Sequence, residues 1–348
     1  MNSKVQHTKI EAIYACVPEQ EVLTTEYSLF ASEEARLFTK NTGIHARRVA
    51  PDNITCSDLC FNAAAQLLTD IDIAGEIDLL VFVSQSPDYF LPATSIILQD
   101  RLGLRSDCMA FDISLGCSGY VYGLQVVGQF IQSGAVRNAL LLVGDKSTIS
   151  TAYQDKSTFP LFGDAGTATL LSFSADSSPW FINSGSDGSG KNSIIIEGGH
   201  SRNPCGTYTE ELLDFNGNKH SKSHLHLEGL DVFNFALSRV PYSIDQALSE
   251  ANKSMDDVDY VVFHQANGLI TKSLSRKLNI PLTKCLTSIE QFGNTSSASI
   301  PLTLVCHGND LSVHKDVSLI LSGFGVGFSW ASMFLTTGFP ITKLITHA

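Results

Sequence analysis

The chain has 348 residues, of which 43% are apolar and 17% charged; this excludes a disordered chain and provides core for two domains or one large duplicated unit. Lys and Arg number 23 against 35 Asp and Glu, a formal charge of −12, which argues against a nucleic-acid role because phosphate binding needs a basic face. The eight Cys form no regular framework, and a chain this long does not need disulfide staples.

In chain order, the opening MNSKVQHTKIEAIYACVPEQ lacks the continuous apolar run of a secretory signal, so the expected setting is a reducing cytoplasm. Cys56 and Cys60 have no matching pair at zinc-finger spacing, so no metal is expected. IDLLVFVSQS at 77–86 is an acidic residue followed by an apolar run with polar ends, the pattern of a strand buried on both faces. The helical stretch SIILQDRLGL follows, then AFDISLGCSGYVYGLQVV, then NALLLVGD at 138–145. The second half repeats this order: VDYVVFHQAN at 258–267, ITKSLSRKLNI, LTSIEQFGNTSSASIPLTLV and DVSLILSG at 316–323. Four matched elements in one order predict two α/β halves, 1–175 and 176–348, each with a largely parallel sheet.

Ahead of the second repeat, residues 180–229 are rich in Gly, Ser, Asn and His. His220, His224 and His226 lack acidic or Cys partners in ligand spacing, so the tract reads as a solvated loop. Residues 317–342 carry no charge over a length that could span a bilayer. Gly323, Gly325 and Gly327 alternate there and Pro340 follows, which predicts strand, glycine turn and strand rather than a membrane helix. Those glycines also miss the G-x-G-x-x-G spacing of a nicotinamide site.

Three residues stand where such a fold puts chemistry. Cys117 sits where a strand turns into a helix, flanked by Gly116, Ser118 and Gly119, which leave room for a substrate. The positive end of that helix is expected to favour thiolate over thiol. His264 follows directly on VDYVVF, at the strand end where open α/β sheets hold ligands. Asn294 occupies the place in the second repeat that Cys117 holds in the first. A nucleophile, a proton handler and a neutral amide donor together suit acyl transfer.

The sequence resembles the β-ketoacyl-acyl-carrier-protein synthase III branch of the thiolase-fold condensing enzymes. The motifs are TGIHARR, SPDYFLPA, FDISLGCSGYVYGL, LFGDAGTATLL, EGGHSRNP, DVFNFAL, HQAN, GNTSSASIPL and GFGVGFSW, in that order over nearly the whole chain. The resemblance implies an α/β thiolase-like fold, two duplicated halves in a five-layered αβαβα arrangement, and a homodimer. It implies Cys117 as acyl-accepting nucleophile, with His264 and Asn294 completing the trio. The expected oxyanion hole is the backbone of Cys117 and of the Gly325–Val326 loop, and Leu91 and Phe324 are expected at the acyl pocket, Leu91 reaching across the dimer. Substrates would be coenzyme A or acyl-carrier-protein phosphopantetheine thioesters, without a further cofactor, in a ping-pong decarboxylative condensation of primer and malonyl-type extender.

The chain departs from the family where members stack adenine, with Leu37 and Asn41 there, and where members keep basic docking residues, with Leu269 and Asn234 there. Lys272, Arg276 and Lys277 are the nominated carrier-docking residues. Alternatives are a transferase forming esters or amides without decarboxylation, or a silent ketosynthase-like partner subunit. Retention of His264 and Asn294 speaks against both.

Overall fold

The computed structural model describes residues 1–204, 212–213, 217–313 and 315–347. We number the strands of the two large sheets β1–β11 and six flanking helices α1–α6. The first half supplies β2 (Thr8–Pro18), α1 (Cys56–Ile71), β3 (Leu79–Val83), α2 (Thr94–Arg101), β4 (Met109–Ile113), α3 (Gly119–Gln132), β5 (Asn138–Asp145) and β6 (Ala165–Phe173). The second half supplies β7 (Trp180–Ser186), α4 (Gly229–Glu250), β8 (Tyr260–Phe263), α5 (Gly268–Lys277), α6 (Ser299–Cys306), β9 (Val317–Gly325) and β10 (Ser329–Thr337).

The chain ends exchange sides. β1 (Asn2–Val5) pairs with β7 in the second sheet, and β11 (Ile341–His347) pairs with β2 in the first. The sheet orders are β11-β2-β6-β5-β3-β4 and β1-β7-β10-β9-β8. A cut at 175/176 thus falls between β6 and β7, and both terminal strands cross it.

The sheets are mixed, not largely parallel. β5, β3 and β4 run parallel, as do β8 and β9, because a helix returns the chain each time. β5–β6, β2–β6, β9–β10 and β7–β10 are antiparallel. The repeat visible in the sequence was the parallel part of each half, whose strands β3, β5, β8 and β9 are buried along most of their length and read as continuous apolar runs.

Those runs split by alternation. Val81 and Val83 of β3 join Tyr120 and Leu124 of α3 and Leu319 and Leu321 of β9 in the central core. Leu80 and Phe82 of β3 face the other way, onto Leu59 and Leu67 of α1. The second sheet's outer face packs Val261, Phe263 and Ile320 against Phe235 and Ile244 of α4. The helices α3 and α6 lie between the sheets, α1 and α2 cover one outside and α4 and α5 the other, giving five layers. Helix α1 starts at Thr55, whose Oγ1 accepts from Asp58 N–H while the Asp58 carboxylate accepts from Thr55 N–H (2.9 Å). Between β9 and β10 the glycine run makes the predicted turn, with Gly325 opposite Ser329. Among the described residues no helix is long and apolar enough to cross a membrane.

Candidate active site

Cys117 lies in the turn joining β4 to α3, closed by a bond from Gly119 N–H to Gly116 O (2.6 Å). It is 8% exposed. The end of β9 passes directly over it: a Cβ on Gly325, where φ is 158°, would stand 2.7 Å from Cys117 Cβ and 2.9 Å from its sulfur. Only glycine fits there. The backbone N–H groups of Val326 and of Cys117 itself face the sulfur, and Ser296 Oγ lies 4.0 Å from it. Val326 thus turns its N–H to the sulfur, and the missing side chain of Gly325 leaves the space for it.

The expected thiolate is corrected. Burial first, and the Asp145 carboxylate second, push the Cys117 thiol up to about 11, against the hydrogen bonds from Ser296, Val326 and its own N–H. Desolvation disfavours the anion more than the helix start favours it. At rest the Cys117 sulfur is a thiol.

His264 follows directly on β8, its N–H donating to Ser322 O (2.8 Å). The ring is 2% exposed, its Nδ1 lies 2.7 Å from Ser299 Oγ, and it meets Phe324 edge-on at 5.7 Å. Burial pulls it down to about 3, offset in part by the Ser296 carbonyl, so the imidazole is neutral. Asn294 follows Gly293, which at φ 63° and against Leu161 O has no room for a side chain. Its N–H donates to Leu161 O (2.9 Å) and its carbonyl accepts from Gly163 N–H (3.1 Å). Its Oδ1 accepts from Ser296 N–H (2.9 Å), which leaves the NH₂ end for the cavity.

Cys117, His264, Asn294 and Phe324 line one cavity of about 120 Å³, open to solvent. Its aliphatic wall includes Ile194, Leu225, Leu227, Val232 and Ile270. This corrects the reading of the His-rich tract as wholly solvated: alternate residues Leu225 and Leu227 reach the cavity while His226 pairs outward with Glu228 (3.1 Å). Among the described residues no group of three His, Cys, Asp or Glu converges as metal ligands would.

Leu91 takes no part in its own chain's cavity. It is 81% exposed, beside exposed Tyr89 and Phe90, on the loop before α2. Lys272, Arg276 and Lys277 are exposed on α5, the helix whose Ile270 lines the cavity. Sequence reasoning did not single out Ser296, Ser299 or Asp145. The two serines stand inside GNTSSASIPL, and Asp145 ends the NALLLVGD repeat, so their neighbourhood was marked but not their contacts.

The chain matches the family described as 3-oxoacyl-[acyl-carrier-protein (ACP)] synthase III over residues 111–188, and the C-terminal family of that synthase over 248–337. It is 31% identical to a β-ketoacyl-[acyl-carrier-protein] synthase III of Alkalilimnicola ehrlichii over 94% of this chain and 98% of that protein. It is 32% identical to the Clostridioides difficile enzyme of the same name over 95% and 98%. A crystal structure of a 3-oxoacyl-(acyl-carrier protein) synthase from Burkholderia xenovorans superposes with a TM-score of 0.93 at 35% identity, covering 100% of this chain and 99% of that one. The priming β-ketosynthase of the R1128 polyketide pathway superposes at 0.84 and 25% identity, covering 97% and 98%.

Proposed function

The chain belongs to the β-ketoacyl-acyl-carrier-protein synthase III family, and from that premise we propose that it condenses an acyl primer, carried on Cys117, with a malonyl-type thioester. The observation carrying this reading is the meeting of Cys117, His264 and Asn294 in one cavity, with two backbone N–H groups on the sulfur.

The steps follow from those groups. The Cys117 sulfur attacks the primer thioester, the departing thiol takes the proton that Cys117 gives up, and loading is proton-neutral. The tetrahedral oxyanion is held by the N–H groups of Cys117 and Val326; one such donor contributes on the order of 3 kcal/mol. The extender then loses CO₂ and its carbonyl becomes an enolate. Taking the Ser299 hydroxyl, 2.7 Å from Nδ1, as the donor, the neutral His264 ring carries its proton on Nε2 and donates it in a hydrogen bond to the enolate oxygen. The Asn294 NH₂ supplies a second. An imidazolium there would protonate the carbanion, and burial of His264 prevents it. The carbanion attacks the Cys117 thioester, and the thiolate leaves and recovers a proton from solvent.

A homodimer is part of this reading. Its support is the exposed Tyr89-Phe90-Leu91 loop and β4, one of the two edge strands of the first sheet. Exposed Lys272, Arg276 and Lys277 support docking of an acidic carrier protein beside the cavity, and Leu37 and Asn41 in place of an adenine-stacking pair favour a carrier-borne primer over acetyl-coenzyme A.

The test is intact-protein mass measurement with a panel of acyl thioesters, together with CO₂ release from malonyl thioester. Cys117→Ala is expected to gain no acyl mass. His264→Ala and Asn294→Ala are expected to load and yet release no CO₂. Turnover by Cys117→Ala overturns the reading, and ester or amide formation without CO₂ would favour the non-decarboxylating transferase.

A further inference from the structure

The polar wall of the cavity ends on a buried carboxyl that the steps above do not use. Asp145, the last residue of β5, is 2% exposed and lines the cavity with Gln85, Ser86 and Cys117. Its Oδ1 accepts from Gln85 N–H (2.7 Å), Ser84 Oγ (3.1 Å) and Ser86 Oγ (3.4 Å). Its Oδ2 accepts from Ser297 Oγ (2.7 Å) and Ser297 N–H (3.2 Å). Each oxygen thus faces a backbone N–H, which can only donate, and the arrangement suits an anion.

No cation neutralises that charge among these partners. Lys146, the next residue, turns its Nζ onto Pro51 O (2.7 Å) and Ile54 O (2.8 Å) and lends its field to Asp164 instead. Cys56, reached through Ser84, is a thiol pushed well up by burial beside Cys60, and His264 is neutral. Burial pulls the Asp145 pKa upward against its donors. The link to the nucleophile is Ser296, whose hydroxyl lies against both the Cys117 sulfur and the Asp145 carboxyl.

Two thioesters must share this cavity, and only one carries a free carboxylate. An extender loaded on Cys117 would be a dead end. We propose that Asp145 is a specificity-determining residue of the loading step: its carboxylate keeps acyl groups bearing their own negative charge off Cys117 and admits uncharged ones. In the second step the extender carbonyl is directed to His264 and Asn294, so the same charge does not bar condensation.

This inference rests on Cys117 as acyl acceptor, but its test reads the sulfur itself. Iodoacetate and iodoacetamide consume the same thiolate, one as an anion and one uncharged, so changes in ionisation or access cancel in the ratio of their rates. Measured on the Cys117 peptide, the wild-type iodoacetate-to-iodoacetamide ratio is expected to fall about tenfold or more below that of a small free thiol. Asp145→Asn and Asp145→Ser are each expected to bring it back to within about twofold, and to permit loading from a succinyl thioester that the wild type refuses. A wild-type ratio equal to the free thiol's overturns the proposal without any variant, and an unchanged ratio in a folded variant does so as well. Failure of the wild type to load any uncharged thioester would sink the functional reading instead.

Discussion

His264 shows at the scale of one side chain how packing sets chemistry. An exposed imidazole has a pKa of about 6.5, and burial in this fold pulls it to about 3. Between those values the unfolded chain binds a proton that the folded chain does not, so stability falls as pH drops through that window. Asp145, raised by burial, contributes in the opposite sense, but it is common to the wild type and a His264→Asn variant. The expected outcome is a melting temperature that declines from pH 7 to pH 4 more steeply for the wild type than for His264→Asn; parallel curves would mean that the ring is not held neutral by burial. That Cys117, His264 and Asn294 stand at a strand end and at tight turns, facing one cavity, was legible in the sequence because such places are marked locally. Their ionisation was not, since the helix-start argument for a Cys117 thiolate could not include the desolvation that only the assembled cavity imposes.

At the scale of elements, the end of β9 does two things. It pairs with β10 to the edge of its turn, and it passes so close to Cys117 that the Gly325 position has no room for a Cβ. Gly325→Ala is expected to displace that strand end with Val326, whose N–H faces the sulfur, and to slow acyl loading about a hundredfold while leaving the fold intact. The check is loading followed by mass alongside a melting curve. Alternating glycines predicted the strand–turn–strand here, because a bilayer helix and a hairpin differ in that periodicity. The antiparallel strands β2, β6, β7 and β10 escaped the repeat argument, having no matched apolar run in it. Leu225 and Leu227 escaped for a different reason: two leucines alternating with histidines look solvated until the cavity they face has been built.

At the scale of the molecule, Leu91 lies outside its own cavity and 81% exposed, and its proposed role requires a second copy. Leu91→Phe is expected to cut loading of eight- and ten-carbon thioesters about tenfold while sparing two- and four-carbon ones; identical profiles would remove Leu91 from the acyl pocket. The exchange of β1 and β11 between the sheets bears on how such a chain comes to be folded at all. On the ribosome, the first sheet's β2 waits with one flank unpaired until residues 341–347 arrive, after the whole second half has been translated. Neither half expressed by itself would own all of its strands. Mixing the two fragments should therefore restore what each lacks, and separating them should leave sticky borders that invite aggregation.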